Sequence, residues 1–236
     1  MKRDDLSKVL FDRIDMVEPY PTGVVKINKQ CGFTAFFPGG EGIWKQNQNQ
    51  NQNQKSKIPT IMVIGQDFST VNKYILMLAG KANDIDSSTW RNLIKLFNQS
   101  GIDLEDCFFT NVFMGLRQSK SMVGEFPGYK DIEFRKRSIE YLKFQIEIVK
   151  PRAIITLGKY AAELLACTTD DLKAWRNWAA LKQPDIGLVK NITIGKHKYN
   201  CVALEHPSMR NSNVKRRIYL NKTGNDAEIA MLNNLL

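Results

Sequence analysis

Paired cysteines, long apolar runs and an acidic excess are all missing from this chain of 236 residues. Its four cysteines are far apart and form no Cys-x-x-Cys pair, which argues against a zinc or iron–sulfur site. No segment approaches the ~20 apolar residues that a membrane-spanning helix needs, and the first residues lack the apolar segment of a secretory signal. We therefore expect a cytoplasmic protein with reduced thiols, no metal and no other cofactor.

Basic side chains outnumber acidic ones by 34 to 24, which gives a net charge of +10. Such an excess favours association with a polyanion. The segment from His206 to Gly224 contains no acidic residue and five basic ones, which are Arg210, Lys215, Arg216, Arg217 and Lys222. A solvated helix face is the simpler interpretation of such a run. Because this run begins beside a candidate site histidine, we favour contact with phosphate groups.

A single domain is expected over residues 1–236, because this length and a hydrophobic content of 43% suit one substantial core. We predict the core of that domain at about residues 59–220. Residues 45–57, which precede it, form a low-complexity Gln/Asn segment with lysine at its ends and no apolar residue to bury. Such a segment predicts a surface insertion.

Strands alternate with helices along the predicted core. Four apolar segments predict strands at residues 60–64, 107–113, 153–157 and 199–204. Between them, apolar residues recur at helical spacing, as from Trp90 to Phe97 and from Ile132 to Val149. We therefore predict an α/β fold, a three-layer sandwich whose central, mostly parallel, four-stranded sheet is covered by helices on both faces.

Polar residues interrupt or follow three of these predicted strands. Gln66 and Asp67 follow the first, Asn111 lies within the second, and His206 and Ser208 follow the fourth. Right-handed crossovers place the carboxyl ends of parallel strands on one edge of the sheet, where open α/β sheets bind ligands. Each residue also has a simpler explanation, as a helix cap, a loop hydrogen bond or a partly buried histidine. Their convergence favours a hydrolytic set of a carboxylate, an amide and an imidazole.

Four motifs, taken in order along the chain, resemble the uracil-DNA glycosylase superfamily. They are Gly65-Gln-Asp67 followed by an aromatic residue, Phe108-Phe-Thr-Asn111-Val, Lys150-Pro-Arg-Ala-Ile-Ile-Thr-Leu-Gly158-Lys-Tyr-Ala-Ala, and His206-Pro-Ser208. The resemblance covers roughly Pro59 to Leu220. It implies a monomeric DNA-binding enzyme of base-excision repair, which extrudes a nucleotide from the helix and hydrolyses its N-glycosidic bond.

The same resemblance implies a role for each motif residue. Asp67 would orient or activate water and stabilise the sugar cation, and His206 would donate a hydrogen bond to O2 of the leaving base. Asn111 would pair with the N3 and O4 edge of uracil, with Gln66 and the aromatic Phe68 beside the base. DNA contacts are expected from the loop and the basic run after the histidine: Ser208, Met209, Arg210, Lys215, Arg216 and Arg217.

The chain departs from the best-known uracil-specific branch of this superfamily after the first motif. That branch continues Gly-Gln-Asp with Pro-Tyr-His, whereas Phe68, Ser69 and Thr70 stand here. Since the tyrosine of that branch blocks the methyl group of thymine, the target base stays open among uracil, mismatched thymine and a damaged base such as hypoxanthine. The ring that stacks on the base is Phe68, Tyr74 or Phe113 on sequence grounds.

The leading hypothesis is a DNA glycosylase-like hydrolase with uracil in DNA as the default substrate. Two other classes remain open. A hydrolase of free nucleosides or nucleotides would use the same rim of the sheet, and an inactive member of the superfamily would serve as a nucleic-acid-binding or regulatory module. Arg117 fits the loop after the second strand, where its suggested role is phosphate contact.

Overall fold

The computed structural model of the protein describes residues 3–28, 36, 59–82, 87–122, 124–179 and 183–236. The predicted Gln/Asn insertion at 45–57 lies outside these residues. The described helices are α1 (Arg3–Phe11), α2 (Val71–Leu78), α3 (Ser88–Gln99), α4 (Ile132–Val149), α5 (Lys159–Leu165), α6 (Arg210–Asn213) and α7 (Gly224–Asn233). The described strands are β1 (Val24–Val25), β2 (Ile61–Thr70), β3 (Cys107–Arg117), β4 (Ala153–Leu157), β5 (Leu188–Ile194), β6 (His197–Leu204), β7 (Ile218–Tyr219) and β8 (Lys222–Thr223).

Six strands form the central sheet, in the order β1-β3-β2-β4-β6-β5. Its middle consists of the four strands predicted from the sequence, and these pair in parallel. The predicted count of four is too low, because the antiparallel strands β1 and β5 are added at the edges. In β5 only Ile192 and Ile194 are buried, so this edge strand lacks the continuous apolar run of the central strands.

Helices cover both faces of this sheet, as predicted. Along β2, Met62 and Ile64 belong to one buried cluster, which includes residues of α1, α4 and α5. Ile61 and Val63 belong to a second cluster, which includes residues of α3 and α7. Successive residues of a strand point to opposite faces, so a strand that is apolar at every position is buried on both sides. The fold is therefore an α/β three-layer sandwich.

The end of β2 differs from the prediction. The sequence predicts a strand that ends at Ile64 and is followed by Gln66 and Asp67, but the strand continues to Thr70, with an irregular register after Asp67. The side chain of Thr70 then accepts a backbone N–H of the next turn at 3.3 Å and caps α2. Asp67 is therefore not a helix cap, which removes the simplest structural explanation for this residue.

The region after β6 also differs from the prediction. The sequence pattern of residues 214–220 predicts a helix, but the structure has a single 3₁₀ turn there, Val214–Arg216, followed by the hairpin of β7 and β8. Leu220 and Asn221 at the tip of this hairpin have positive φ angles of 48° and 60°, which a right-handed helix does not use. Among the described residues, none of the helices combines the length and the apolar composition that a membrane crossing requires.

Candidate active site

The strand order of the sheet reverses between β2 and β4, because the chain places β3 on one side of β2 and β4 on the other. Such a switch point opens a crevice at the carboxyl ends of the strands, where doubly wound sheets bind ligands. Pairing between β2 and β4 ends at Ile64 and Thr156, whereas β2 stays paired with β3 as far as Thr70. The residues after Ile64 therefore lie along an open edge of β2.

Asn111 lies on β3 directly opposite Gly65 of β2. It is 2% exposed, and a Cβ atom added at Gly65 would come within 2.4 Å of its Oδ1. A side chain at position 65 would therefore displace the amide. The Nδ2 group of Asn111 is buried and has no hydrogen-bond partner among the described residues, and the same holds for Nε2 of the half-buried Gln66. Because an unpaired buried donor costs free energy, these groups point to a ligand that would pair with them.

Asp67 forms a buried ion pair with Arg117, the last residue of β3. Arg117 donates its Nε–H to Oδ2 at 2.8 Å and its Nη2–H to Oδ1 at 2.9 Å, so the guanidinium contacts both carboxylate oxygens. The side chains of Asp67 and Arg117 are 6% and 3% exposed. A phosphate contact, which the sequence suggested for Arg117, would require it to leave this pair.

The charge of Asp67 is subject to two opposing effects. Burial raises the pKa of Asp67 above its usual value because the ionised form loses hydration, and the guanidinium of Arg117 opposes that rise. An ionised carboxylate offers about four acceptor positions, and within the described part of the chain two of those of Asp67 are occupied, by the hydrogen bonds from Arg117. Asp67 can therefore accept a hydrogen bond from water while it stays paired.

His206 begins the 3₁₀ turn Pro207–Met209, which follows β6. Its Nδ1 accepts the backbone N–H of Ser208 at 3.3 Å and lies 2.8 Å from Ser208 Oγ, so Ser208 orients the histidine and does not cap a helix. Since Nδ1 is an acceptor, the neutral ring carries its proton on Nε2. Burial lowers the pKa of His206, which favours this neutral form. The half-buried imidazole is thus oriented to donate a hydrogen bond from Nε2–H.

Gly158, between β4 and α5, packs against His206. Its φ and ψ of 82° and 177° fall in a region that is open essentially only to glycine. A Cβ atom at this position would lie 2.9 Å from Cβ of His206. Two polar side chains of the site thus pack against glycines: Asn111 against Gly65, and His206 against Gly158. Because β2 and β4 are neighbours, the amide and the imidazole lie on the two sides of the switch point.

The loop that carries His206 is anchored by Glu228 of α7, which is fully buried. Glu228 Oε1 accepts the N–H of Glu205 at 2.7 Å, directly before His206. Its Oε2 accepts a hydrogen bond from Arg210, and Arg217 donates its Nε–H to Oε1 at 3.3 Å. Arg210 and Arg217 are only 6% and 1% exposed. They therefore leave the predicted set of DNA contacts, because their guanidinium groups are buried against Glu228.

The other residues predicted to contact DNA are at the surface. Ser208, Met209, Lys215 and Arg216 are all exposed, in the turns that directly follow His206. Met209 is 53% exposed although it is apolar. The structure therefore divides the basic run into a buried pair of arginines and an exposed surface that includes Lys215 and Arg216.

The three rings considered from the sequence for base stacking are all in the core. Phe68 and Tyr74 are each 6% exposed and contact each other with ring centroids 5.9 Å apart, and Phe113 is fully buried. Phe68 therefore leaves the predicted base-binding set, because its ring packs into the interior. Phe36 is a different candidate, since this half-buried ring lies 3.4 Å from the Cβ position of Gly65.

The sequence motifs do not identify three residues of the site. These are Arg117 as the partner of Asp67, Glu228 as the anchor of the histidine loop, and Phe36 as a ring beside Gly65. The sequence contains a clue to Arg117, because this residue ends the strand that carries Asn111. It contains no clue to Glu228, which belongs to a helix of ordinary pattern beyond the basic run. It contains none to Phe36, which precedes the predicted core. In the described part of the chain, no three His, Cys, Asp or Glu side chains are grouped so that they could hold a metal ion.

The fold and the site define a doubly wound α/β protein with a carboxylate, an amide and a neutral histidine at the carboxyl end of its sheet. A family model of the uracil DNA glycosylase superfamily matches residues 58–230, and the chain belongs to that superfamily. The matched range contains all four motifs and extends beyond the predicted core to include Glu228. No curated protein matches the chain.

Proposed function

We propose that the protein is a DNA glycosylase that excises uracil or a related aberrant base by hydrolysis of the N-glycosidic bond. The observation that carries this proposal is the buried amide of Asn111, whose Nδ2 has no partner among the described residues. A side-chain amide offers a donor beside an acceptor, which matches the adjacent O4 and N3–H of uracil. Glycine at position 65 supports the proposal, since it leaves this amide undisplaced.

His206 assists departure of the base in the proposed reaction. The C1′–N bond breaks with its electron pair going to the base, so negative charge develops on O2. A hydrogen bond from the Nε2–H of His206 to O2 stabilises that charge, and the neutral ring favoured by burial supplies this donor. One such preorganised donor is worth roughly 3–4 kcal/mol of transition-state stabilisation in other enzymes.

Asp67 acts on the sugar side of the same bond. Its negative charge stabilises the oxocarbenium-like sugar, and its open acceptor positions orient the water that adds to C1′. The proton of that water is released to solvent, and the base anion takes up a proton from solvent. Enclosure of the carboxylate supports this role, because charges interact more strongly where water is excluded.

The surface after His206 contacts DNA in this proposal. Lys215 and Arg216 approach phosphates, Ser208 assists them, and the exposed Met209 inserts where the extruded nucleotide leaves the stack. Phe36 is the described ring best placed to stack on the base, because it lies against Gly65. A monomeric state and a cytoplasmic location stay predictions from the sequence.

Excision assays test the proposal directly. The protein is incubated with single- and double-stranded oligonucleotides that carry uracil, a G·T mismatch or hypoxanthine, and alkali-labile abasic sites are scored. We expect cleavage of the uracil substrate, and a loss of roughly 10²- to 10³-fold in His206→Ala, as for removal of one preorganised donor. Asp67→Asn and Asn111→Ala should also lose activity, whereas Asp170→Asn, at a 90% exposed carboxylate, should not.

Each other outcome of these assays favours a different class of protein. Salt-sensitive DNA binding without cleavage of any substrate would overturn the glycosylase in favour of a binding module. Hydrolysis of free nucleosides alone would favour an enzyme that acts on small substrates. Full activity of Asn111→Ala would contradict the role in base recognition that the proposal gives to Asn111.

A further inference from the structure

We propose that Arg117 is a positioning residue for Asp67, which fixes both carboxylate oxygens and keeps Asp67 ionised so that it serves mainly as a stationary negative charge. The positioning part concerns the free protein, while the use of that charge beside the sugar rests on the proposed function. Arg117 itself touches no reacting atom in this proposal. It acts through Asp67.

The geometry of the pair restricts the carboxylate. Two parallel hydrogen bonds, of 2.8 and 2.9 Å, join the guanidinium fork to the two oxygens of Asp67. Such a two-point contact fixes the plane of the carboxylate as well as its position, which a single contact to a lysine would not do. The oxygens of Asp67 are therefore held in one orientation before any substrate arrives.

Arg117 is fixed by contacts of its own. Its Nη2 and Nη1 groups donate to the backbone carbonyls of Gly124 at 2.9 Å and Glu125 at 3.2 Å. Its guanidinium lies 5.6 Å from the ring centroid of Phe126, close enough for a cation–π interaction. An arginine held on three sides in this way is suited to orient a neighbour, whereas an arginine that reaches for phosphate is usually exposed.

Arg117 is also the charged group that compensates the burial of Asp67. The nearby elements contribute further charges, which are Lys73 of α2, Glu125 with Lys130 after β3, and Glu163 with Lys159 of α5. Among the described groups, Arg117 is the one that lowers the pKa of Asp67 against the effect of burial. An enclosed carboxylate without an opposite charge nearby favours its protonated form. Without Arg117, Asp67 would therefore keep its proton up to a higher pH.

The test compares Arg117→Met and Arg117→Lys with the wild-type protein. Arg176→Met is the matched control, because Arg176 also donates to an aspartate at 2.7 Å, but with side chains that are 46% and 90% exposed. The first readout is titration of the Asp67 carboxyl carbon by NMR in protein without DNA. The second is the pH dependence of kcat on a uracil-containing oligonucleotide.

We expect Arg117→Met to titrate Asp67 at higher pH than wild type, and the acid limb of kcat to move in the same direction. At neutral pH kcat should fall roughly tenfold or more, because even a small misplacement of a catalytic group can cost about 10²-fold in rate. In Arg117→Lys, Asp67 should titrate at a pH closer to that of wild type than in Arg117→Met, because the positive charge is kept. Its kcat should recover less, because lysine cannot make the two-point contact of the guanidinium. Arg176→Met should leave both readouts unchanged.

Several results would overturn the inference. One is an unchanged Asp67 titration in Arg117→Met, and another is a lowered kcat with no shift of the acid limb. If Arg117→Met does not fold, Arg117→Lys and the double variant Asp67→Asn, Arg117→Met decide. Recovery of folding in the double variant supports the charge pairing, and continued failure contradicts it. If wild type cleaves no substrate, the proposed function fails, while the NMR titration still decides the role of Arg117.

Discussion

The two sides of the switch point hold their polar groups in different ways. On the β2–β3 side, Asp67, Asn111 and Arg117 all belong to paired strands, and their side chains are enclosed. On the β4–β6 side, His206 is half-buried in a turn beyond its strand, and residues flanking it are tied to Glu228 of a later helix. Strand pairing fixes the first side, whereas long-range hydrogen bonds and ion pairs fix the second.

The difference shows how one kind of contact serves two purposes. Asp67 meets one guanidinium among the described residues and keeps open acceptor positions, which suits a group that acts on a substrate. Glu228 meets two guanidinium groups and a backbone N–H, which suits a group that only holds structure. The number of partners therefore distinguishes the two buried carboxylates. Asp67 can still accept further hydrogen bonds, whereas Glu228 serves to hold the structure.

Removal of Glu228 is the strongest test of this comparison. Glu228→Ala should lower the free energy of unfolding by about 3–5 kcal/mol, because it removes the buried carboxylate that the buried side chains of Arg210 and Arg217 both contact. Urea unfolding monitored by circular dichroism measures the loss. Glu133→Ala is the control, since Glu133 pairs with Lys136 at the surface with a side chain that is 69% exposed. Equal stability of the two variants would show that Glu228 does not anchor the histidine loop.

A smaller change tests the side fixed by strand pairing. Gly65→Ala places a Cβ atom 2.4 Å from Asn111 Oδ1, so the amide has to move. Overpacking of this kind costs about 1–3 kcal/mol of stability, and excision of uracil should fall by about tenfold or more. Gly101→Ala is the control, because Gly101 has a φ of 66° and nothing within 4 Å of its Cβ position. It should lose stability through backbone strain and retain the excision rate.

An unchanged excision rate in Gly65→Ala would contradict the role given to Asn111. Loss of excision in both variants would show that activity follows stability alone. Only a selective loss in Gly65→Ala supports the view that strand pairing places the amide for a ligand.

The central sheet could be predicted from the sequence because its strands are buried on both faces. β4 and α4 are found at the predicted residues, since Gly158 and Pro151 end them sharply. The edge strand β5 could not be predicted, because an edge strand needs only alternate buried residues, and Lys190 and Asn191 interrupt it. Prediction thus succeeds where burial fixes every residue and fails where one face meets solvent.

The site was predictable only in part, for a related reason. Convergence of strand ends predicts Asp67, Asn111 and His206 as site residues, because parallel pairing brings the ends of these strands to one edge of the sheet. The partners of these residues depend on details that no motif carries. The contact of Arg117 with Asp67 depends on the irregular register late in β2, and Glu228 joins the site through folding of a distant helix. Their positive charge predicted surface positions for Arg210 and Arg217, but both side chains are buried in ion pairs with Glu228.

The smallest expected effect concerns the protonation of His206. Burial lowers the folded-state pKa of His206 below its ordinary 6.5, so the unfolded chain binds a proton more readily. The stabilising contribution of the neutral ring is therefore complete above about pH 6.5 and is lost as pH falls from there through the folded-state pKa. Wild type should lose more unfolding free energy than His206→Gln between about pH 7.5 and 5.5, by at most ~1.4 kcal/mol for each unit of difference in pKa.

His197 provides the matched control, because it is the other histidine of the chain and is exposed at the start of β6. Wild type, His197→Gln and His206→Gln are compared by urea unfolding at both pH values, and His197→Gln gives the effect of removing an exposed histidine. If His206→Gln follows wild type, the ring of His206 is not held neutral by burial. The side of the site fixed by long-range contacts would then orient His206 without setting its charge, and protonation of Nδ1 near neutral pH would compete with the hydrogen bond that Nδ1 accepts from Ser208 N–H.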